Sequence, residues 1–138
     1  MEKEAKEVLN NYREFVQGLT SDQSTFTAEM INSMVTIQKA GGNPSLLMTS
    51  AIGMCCEAGE YSEIVKKIFF QGKPYNEDNI FHMKRELGDA IFYWMMACTA
   101  LGFDPMDVIK ENVSKLEGRY PGGKFDPFKS ENRKEGDL

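Results

Sequence analysis

Hydrophobic residues recur every three or four positions along most of the chain, which is the period of an α-helix that buries one face. Residues 3–18 and 27–40 both follow this pattern, and a short polar link, residues 21–25, lies between them. The run from Gly41 to Pro44 ends the second of these helices. No segment alternates between apolar and polar residues as a strand does, so the pattern predicts an all-α protein.

The central part of the chain predicts an antiparallel hairpin of two long helices, at about 46–70 and about 77–101. Ser45 has the residue type of an N-cap for the first helix. The turn at 71–74 ends that helix because it contains a glycine and a proline. Gly102 is the expected C′ residue of the second helix, since glycine takes the left-handed conformation with which helices commonly end.

The residues after the hairpin predict one more helix and then an irregular tail. Asp104 and Pro105 are typical of an N-cap and a first helical position, and this helix ends near Gly118. Residues 119–138 contain several glycines and prolines, so we expect an extended C-terminal tail. A chain of 138 residues has the length of a single domain. The sequence therefore predicts that residues 1–138 form one all-α domain, a bundle of four to five helices.

The second helix of the hairpin is apolar on nearly all sides. Between Leu87 and Leu101 only Asp89 is charged. A helix of this kind needs cover on most of its faces, and so small a domain offers limited cover from its own chain. We therefore expect this helix to lie at the centre or at the interface of a homo-oligomer.

Two pairs of acidic residues lie in the predicted hairpin, Glu57 with Glu60 and Glu86 with Asp89. Residues three apart share a face of a helix, so each pair projects in one direction. The midpoints of the pairs, positions 58.5 and 87.5, average to 73, which lies in the turn. At about 1.5 Å per residue, both pairs lie roughly 20 Å from the turn and therefore at equal heights. If both faces point inward, four carboxylates converge and repel one another unless a cation neutralises them.

The residue types of this cluster indicate which metal it would bind. Carboxylate oxygens suit hard cations such as Mg²⁺ or Mn²⁺. A di-iron bundle needs Glu-x-x-His repeats, and the single histidine, His82, lies in neither acid pair. We expect His82 on the helix surface or beside a metal ligand rather than as a ligand. The alternative is an ordinary solvated acidic surface, because exposed acid pairs are common.

Protein-bound Mg²⁺ commonly coordinates substrate phosphates, so the acid cluster also suggests phosphoryl chemistry. The chain has no glycine-rich phosphate loop of the GxxxxGK[ST] type, so basic side chains must help to bind the phosphates. Asn112, Lys115 and Arg119 are spaced by three and four residues and share a face of the last predicted helix. They are the candidate substrate-binding residues, with a solvated helix face as the alternative.

Composition limits the partners. The chain is 41% hydrophobic and 27% charged, as in ordinary globular proteins, and its net charge of −5 argues against nucleic-acid polymers and anionic membranes as partners. No apolar run is long enough to span a bilayer. The charged N-terminus lacks the apolar core of a secretory signal, and the three cysteines include no CxxC pair. We therefore expect a cytoplasmic protein with buried, reduced cysteines.

The spacing of the acid pairs also resembles a family signature. Glu57-x-x-Glu60, 25 residues and Glu86-x-x-Asp89 are similar to the ExxE…ExxD motif of all-α nucleoside triphosphate pyrophosphohydrolases. The resemblance covers about residues 28–125 and is strongest to the MazG-like branch, including its small single-domain forms that phages often encode. It implies a hydrolase of phosphoric anhydride bonds that converts (deoxy)nucleoside triphosphates to the monophosphate and pyrophosphate. The location is then cytoplasmic, in the host if a phage encodes the protein.

The resemblance also implies roles for individual residues, a Mg²⁺ cofactor that Mn²⁺ can replace, and a homodimer or homotetramer (a dimer of dimers). Either Glu57 or Glu60 would position or deprotonate the attacking water as the catalytic residue, and the sequence does not select between them. The motif positions correspond to metal ligands at Glu57, Glu60, Glu86 and Asp89, and to substrate contacts at Asn112, Lys115 and Arg119.

One position departs from the family pattern, and several functions remain open. The family often has a second acid directly before its first motif glutamate, where this chain has Cys56. A dUTP diphosphatase or a phosphoribosyl-ATP pyrophosphohydrolase on the same scaffold is an alternative. A non-catalytic helical module for regulation or oligomerisation is the alternative from another functional class.

Overall fold

The computed structural model describes residues 2–132 and contains helices and no strand within that range, which confirms the all-α class. The helices are α1 (Glu2–Leu19), α2 (Asp22–Thr25), α3 (Thr27–Lys39), α4 (Pro44–Phe70), α5 (Glu77–Leu101), α6 (Pro105–Arg119) and α7 (Pro127–Glu131).

Contacts divide the chain after Gly42 into two compact units, and the expectation of a single domain stays a prediction. In the first unit α2 and α3 pack against each other, and α2 occupies most of the predicted link. Helix α1 keeps large apolar side chains exposed along its predicted buried face. These include Val8, Leu9, Tyr12, Phe15 and Leu19.

The second unit is built on the predicted hairpin of α4 and α5, which make the largest helix–helix contact in the described part of the chain. The prediction of Ser45 as the N-cap of α4 is wrong. The side chain of Asn43 accepts a hydrogen bond from the backbone N–H of Leu46 at 3.0 Å, and Pro44 occupies the first turn. Proline has no N–H, and the first helical N–H groups have no partner within the helix anyway. The helix therefore begins two residues earlier than predicted.

The C-terminal end of α5 and the start of α6 follow the predicted capping signals, and Asn76 caps the start of α5. Asn76 accepts a hydrogen bond from the N–H of Asn79 at 3.1 Å, and Gly102 ends α5 in the left-handed conformation with φ of 69°. Asp104 caps α6 by accepting from the N–H of Met106 at 2.7 Å. These side-chain and glycine signals act within one turn, which is why the sequence locates them well.

The tail is not entirely extended, since α7 forms within it. Asp126 accepts hydrogen bonds from the N–H groups of Phe128 and Lys129, and Pro127 is the first residue of the helix. This is the same Asp-Pro start that predicted α6, so a local signal for α7 is present in the sequence although the glycines and prolines around it favour an irregular tail. The remainder of the predicted tail, residues 133–138, lies outside the described residues.

Few side chains are buried in the described structure. The expectation of buried cysteines holds for Cys98 and is wrong for Cys55 and Cys56, which are exposed. On α5, Ile91 is 62% exposed although it lies in the apolar segment, because α4 covers only one side of the helix. The buried positions of the hairpin are Ser50, Gly53 and Ile64 of α4 and Glu86, Cys98 and Ala100 of α5.

Close packing at Gly53 determines how near α4 and α5 approach each other. The ring of Tyr93 lies so close to the backbone of Gly53 that a Cβ atom at residue 53 would overlap it. Gly53 lies one turn before Glu57 on α4, and Tyr93 lies one turn after Asp89 on α5. The contact therefore determines the separation of the two helices next to the acid pairs.

We predict that Gly53→Ala lowers the free energy of unfolding. Overpacking between the helices costs about 1–3 kcal/mol, and the higher helix propensity of alanine offsets about 1 kcal/mol of this. Gly59→Ala is the matched control, because a Cβ atom there meets nothing within 4 Å and alanine should stabilise the helix by about 1 kcal/mol. Urea denaturation measures both variants, and equal stabilisation by the two substitutions would contradict the tight contact.

Candidate metal centre

Three of the four predicted acids meet where α4 and α5 pack together. Glu57, Glu60 and Glu86 each provide a carboxylate oxygen, and these oxygens lie within 4.8 Å of one another. Asp89 is not one of this group, but its negative charge acts on the carboxyl group of Glu57. The convergence expected from the spacing about the turn is therefore present for three residues, with the fourth nearby.

Burial differs among the four acids. Glu86 is only 6% exposed, Glu57 is partly buried, and Glu60 and Asp89 are exposed. On each helix, therefore, one carboxylate of the pair is more buried than the other. The cluster has an inner part between the helices and an outer part that a ligand can reach from solvent.

The inner part of the cluster includes a contact that sequence reasoning did not identify. His82 Nε2 lies 2.9 Å from Glu86 Oε1, one helical turn away along α5. We expected His82 on the helix surface or beside a metal ligand, and its side chain is half exposed and in contact with this buried glutamate. The four-residue spacing could have indicated the contact, because residues at i and i+4 are neighbours on a helix.

The pKa of the Glu57 carboxyl group is raised above its ordinary value. Partial burial contributes most, followed by the negative charges of Glu60, Asp89 and Glu86 and a hydrogen bond with Glu86. Each cause makes the ionised form less favourable in the folded protein. A cation placed among these oxygens would have the opposite effect, so the electrostatics of the cluster suit metal binding.

Glu63, one turn beyond Glu60 on α4, belongs to a different interaction. Lys66 and Lys67 both form ion pairs with its carboxylate, and they lower the pKa of Glu63. Its negative charge is thus compensated within α4, and Glu63 is not part of the three-residue cluster.

The predicted substrate-binding residues all lie on α6. Asn112 and Lys115 line a groove of about 570 Å³ together with Trp94 of α5, and none of the four acids lines this groove. Arg119 is the last residue of α6 and is partly buried. The structure thus brings two of the three residues together with an aromatic ring, in a groove separate from the acid cluster.

The donor set fits a hard divalent cation. All three converging atoms are carboxylate oxygens, which are ligands that Mg²⁺ and Mn²⁺ prefer. Two of these oxygens come from α4 and one comes from α5. No imidazole or thiolate belongs to this group of mutually close ligand atoms in the described residues. The three glutamates could therefore bind a metal ion.

Comparison with known proteins agrees with this geometry. A family model described as the MazG nucleotide pyrophosphohydrolase domain matches residues 49–123, which include both acid pairs and the whole of α6. No curated protein and no solved structure matches the chain significantly.

Within residues 2–132 no helix is both long enough and apolar enough to cross a membrane.

We predict that Glu57→Gln raises the melting temperature of the metal-free protein at pH 7. Because its folded-state pKa is raised, the glutamate destabilises the fold once pH exceeds its ordinary value of 4.5. The stabilisation by glutamine should therefore grow as pH rises from 4.5 and disappear below it. Thermal unfolding across this pH range in a chelating buffer measures the difference between the variant and the wild type.

Glu63→Gln is the control, and we expect it to change the melting temperature in the opposite direction. A lowered pKa means that the ionised Glu63 stabilises the fold above its ordinary pKa, and this contribution is lost as pH falls through the folded-state value. Glutamine at position 63 should thus lower the melting temperature at pH 7. Equal effects of the two substitutions at pH 7 would show that repulsion within the cluster is unimportant.

Proposed function

Because the chain belongs to the MazG nucleotide pyrophosphohydrolase family, we propose that it hydrolyses (deoxy)nucleoside triphosphates to the monophosphate and pyrophosphate in the presence of Mg²⁺. The observation that carries the proposal is the convergence of Glu57, Glu60 and Glu86 inside the matched segment. Repulsion among four acids that lie close together destabilises the fold, and the binding of a metal ion for a reaction would relieve that repulsion.

In this proposal the metal ligands are Glu57, Glu60, Glu86 and Asp89, and Mn²⁺ can replace Mg²⁺. A cation held by these carboxylates would neutralise charge on the triphosphate and would supply a water molecule of lowered pKa for attack at phosphorus. Glu57 and Glu60 are the two candidates to orient that water and accept its proton. The greater exposure of Glu60 favours it, because a water arriving from solvent meets it first.

The triphosphate also needs positive charge from the protein, since the chain has no phosphate-binding glycine loop. We assign this role to Lys115 and Arg119 of α6, with Asn112 as a neutral hydrogen-bonding partner. Cationic side chains stabilise the charge that develops on the leaving pyrophosphate. The presence of Asn112 and Lys115 in one groove supports a shared ligand for these two residues.

We also propose that the protein functions as a cytoplasmic homodimer or homotetramer. Support comes from the side of α5 that α4 leaves uncovered. Leu87, Ile91 and Met95 are spaced by four residues and are 50%, 62% and 44% exposed, with Phe92 beside them at 58%. A contiguous apolar stripe of this kind is typical of a surface that another protein subunit covers.

We predict pyrophosphate release from at least one (deoxy)nucleoside triphosphate when the protein is incubated with each of them and Mg²⁺. Glu60→Gln should lower kcat by about 100-fold or more, because it removes a metal ligand or the proton acceptor. Glu63→Gln carries the same change of charge outside the cluster and should keep near wild-type activity. A coupled pyrophosphate assay measures all three proteins.

The substrate panel also distinguishes the alternatives. Turnover of dUTP alone identifies a dUTP diphosphatase, and turnover of phosphoribosyl-ATP alone identifies the corresponding pyrophosphohydrolase. Nucleotide binding without turnover identifies a non-catalytic module. The proposal fails if no nucleotide yields pyrophosphate or if Glu60→Gln is fully active.

We predict that Ile91→Glu converts the oligomer to monomers, because a charged carboxylate placed in an apolar interface loses its hydration. Ile91→Leu keeps the apolar surface and should preserve the wild-type mass. Light scattering coupled to size-exclusion chromatography measures the mass of each protein. A monomeric wild type would overturn the oligomer and leave the proposed reaction untouched.

A further inference from the structure

The single histidine of the chain lies against the most buried acid of the candidate metal centre. His82 Nε2 and Glu86 Oε1 are 2.9 Å apart, and the side chains are 52% and 8% exposed respectively. An exposed i, i+4 pair on a helix surface contributes only about 0.2–0.5 kcal/mol. This pair differs because Glu86 is buried and its carboxylate also lies close to those of Glu57 and Glu60.

The acceptor determines the polarity of this contact. An ionised carboxylate has no hydrogen to donate, so in any hydrogen bond across these 2.9 Å Nε2 of His82 is the donor and Oε1 of Glu86 the acceptor. Glu86 also interacts with Glu57 through their side chains. The carboxylate of Glu86 is thus held between a donor on its own helix and the acid cluster.

His82 is not itself among the converging ligand atoms. The group whose atoms lie within 4.8 Å of one another contains the three glutamates and omits His82. Its imidazole instead contacts Oε1 of Glu86, and a carboxylate has a second oxygen with which it can bind a cation. A ligand that is already oriented loses less conformational freedom when it binds a metal.

We propose that His82 is a positioning residue that orients Glu86 for metal binding, which deepens the proposed function by naming a residue that controls its metal affinity. Hydrogen-bond partners of metal ligands typically change metal affinity by about 10–100-fold when they are removed. The proposal rests on the proposed metal site, and its test therefore measures metal binding directly as well as activity.

The experiment measures Mn²⁺ binding to the metal-free protein from the electron paramagnetic resonance signal of free Mn²⁺. His82→Ala should weaken binding by about 10–100-fold, because Glu86 loses its donor. His82→Gln should stay within about threefold of wild type, since its amide NH₂ can donate to the same oxygen. Lys84→Ala, an exposed change on the same helix, is the control and should bind like wild type.

An activity measurement adds a second readout. In His82→Ala the half-saturating Mg²⁺ concentration should rise by a similar factor, while kcat and the nucleotide KM at saturating Mg²⁺ stay within about twofold. If His82 had a purely structural role, its replacement would instead lower kcat, or Mn²⁺ binding would weaken equally in His82→Ala and His82→Gln. Circular dichroism establishes that the variants keep their helix content.

Each outcome decides the proposal. Unchanged Mn²⁺ affinity in His82→Ala overturns it, and equal losses in His82→Ala and His82→Gln overturn the donor role. A wild type that binds no Mn²⁺ overturns both the metal site and the positioning role. Normal Mn²⁺ binding without any turnover contradicts the proposed function but still tests His82.

Discussion

The repulsion among carboxylates at the contact of α4 and α5 is the constraint on which the rest of the site depends. Packing places Tyr93 directly on Gly53, so the helices cannot separate at that level without losing the contact. One turn away, the same packing brings Glu57, Glu60 and Glu86 within reach of one another. The interaction that stabilises the hairpin therefore also creates the electrostatic strain that a cation can relieve.

This strain connects stability with function. The raised pKa of Glu57 means that the metal-free fold carries an unfavourable charge interaction at neutral pH. On the same helix, the ion pairs of Glu63 with Lys66 and Lys67 act in the favourable direction. Helix α4 thus combines a compensated surface acid, Glu63, with Glu57, whose ionised form is unfavourable in the fold, nearly two turns earlier, as is common where a binding site reduces stability.

Two different groups of polar side chains lie around the hairpin. The three glutamates could bind a metal ion, and we have proposed that the histidine beside Glu86 controls its affinity. The groove with Asn112, Lys115 and Trp94 combines a cation, an amide and an aromatic ring. The nucleoside triphosphate that we propose as substrate needs both kinds of partner, and the exposed apolar side of α5 is the surface that we propose for a further subunit.

The sequence alone determined the helical class, the ends of α5 and α6, and the equal heights of the acid pairs, because capping and helical spacing are local properties of the chain. The start of α4 at Pro44 and the helix α7 were not predicted, although their capping residues, Asn43 and Asp126, are equally local signals. Only the tertiary structure decided which acids converge and which are buried. Those facts depend on the distance and rotation between α4 and α5, which the packing of Tyr93 on a residue without a side chain establishes.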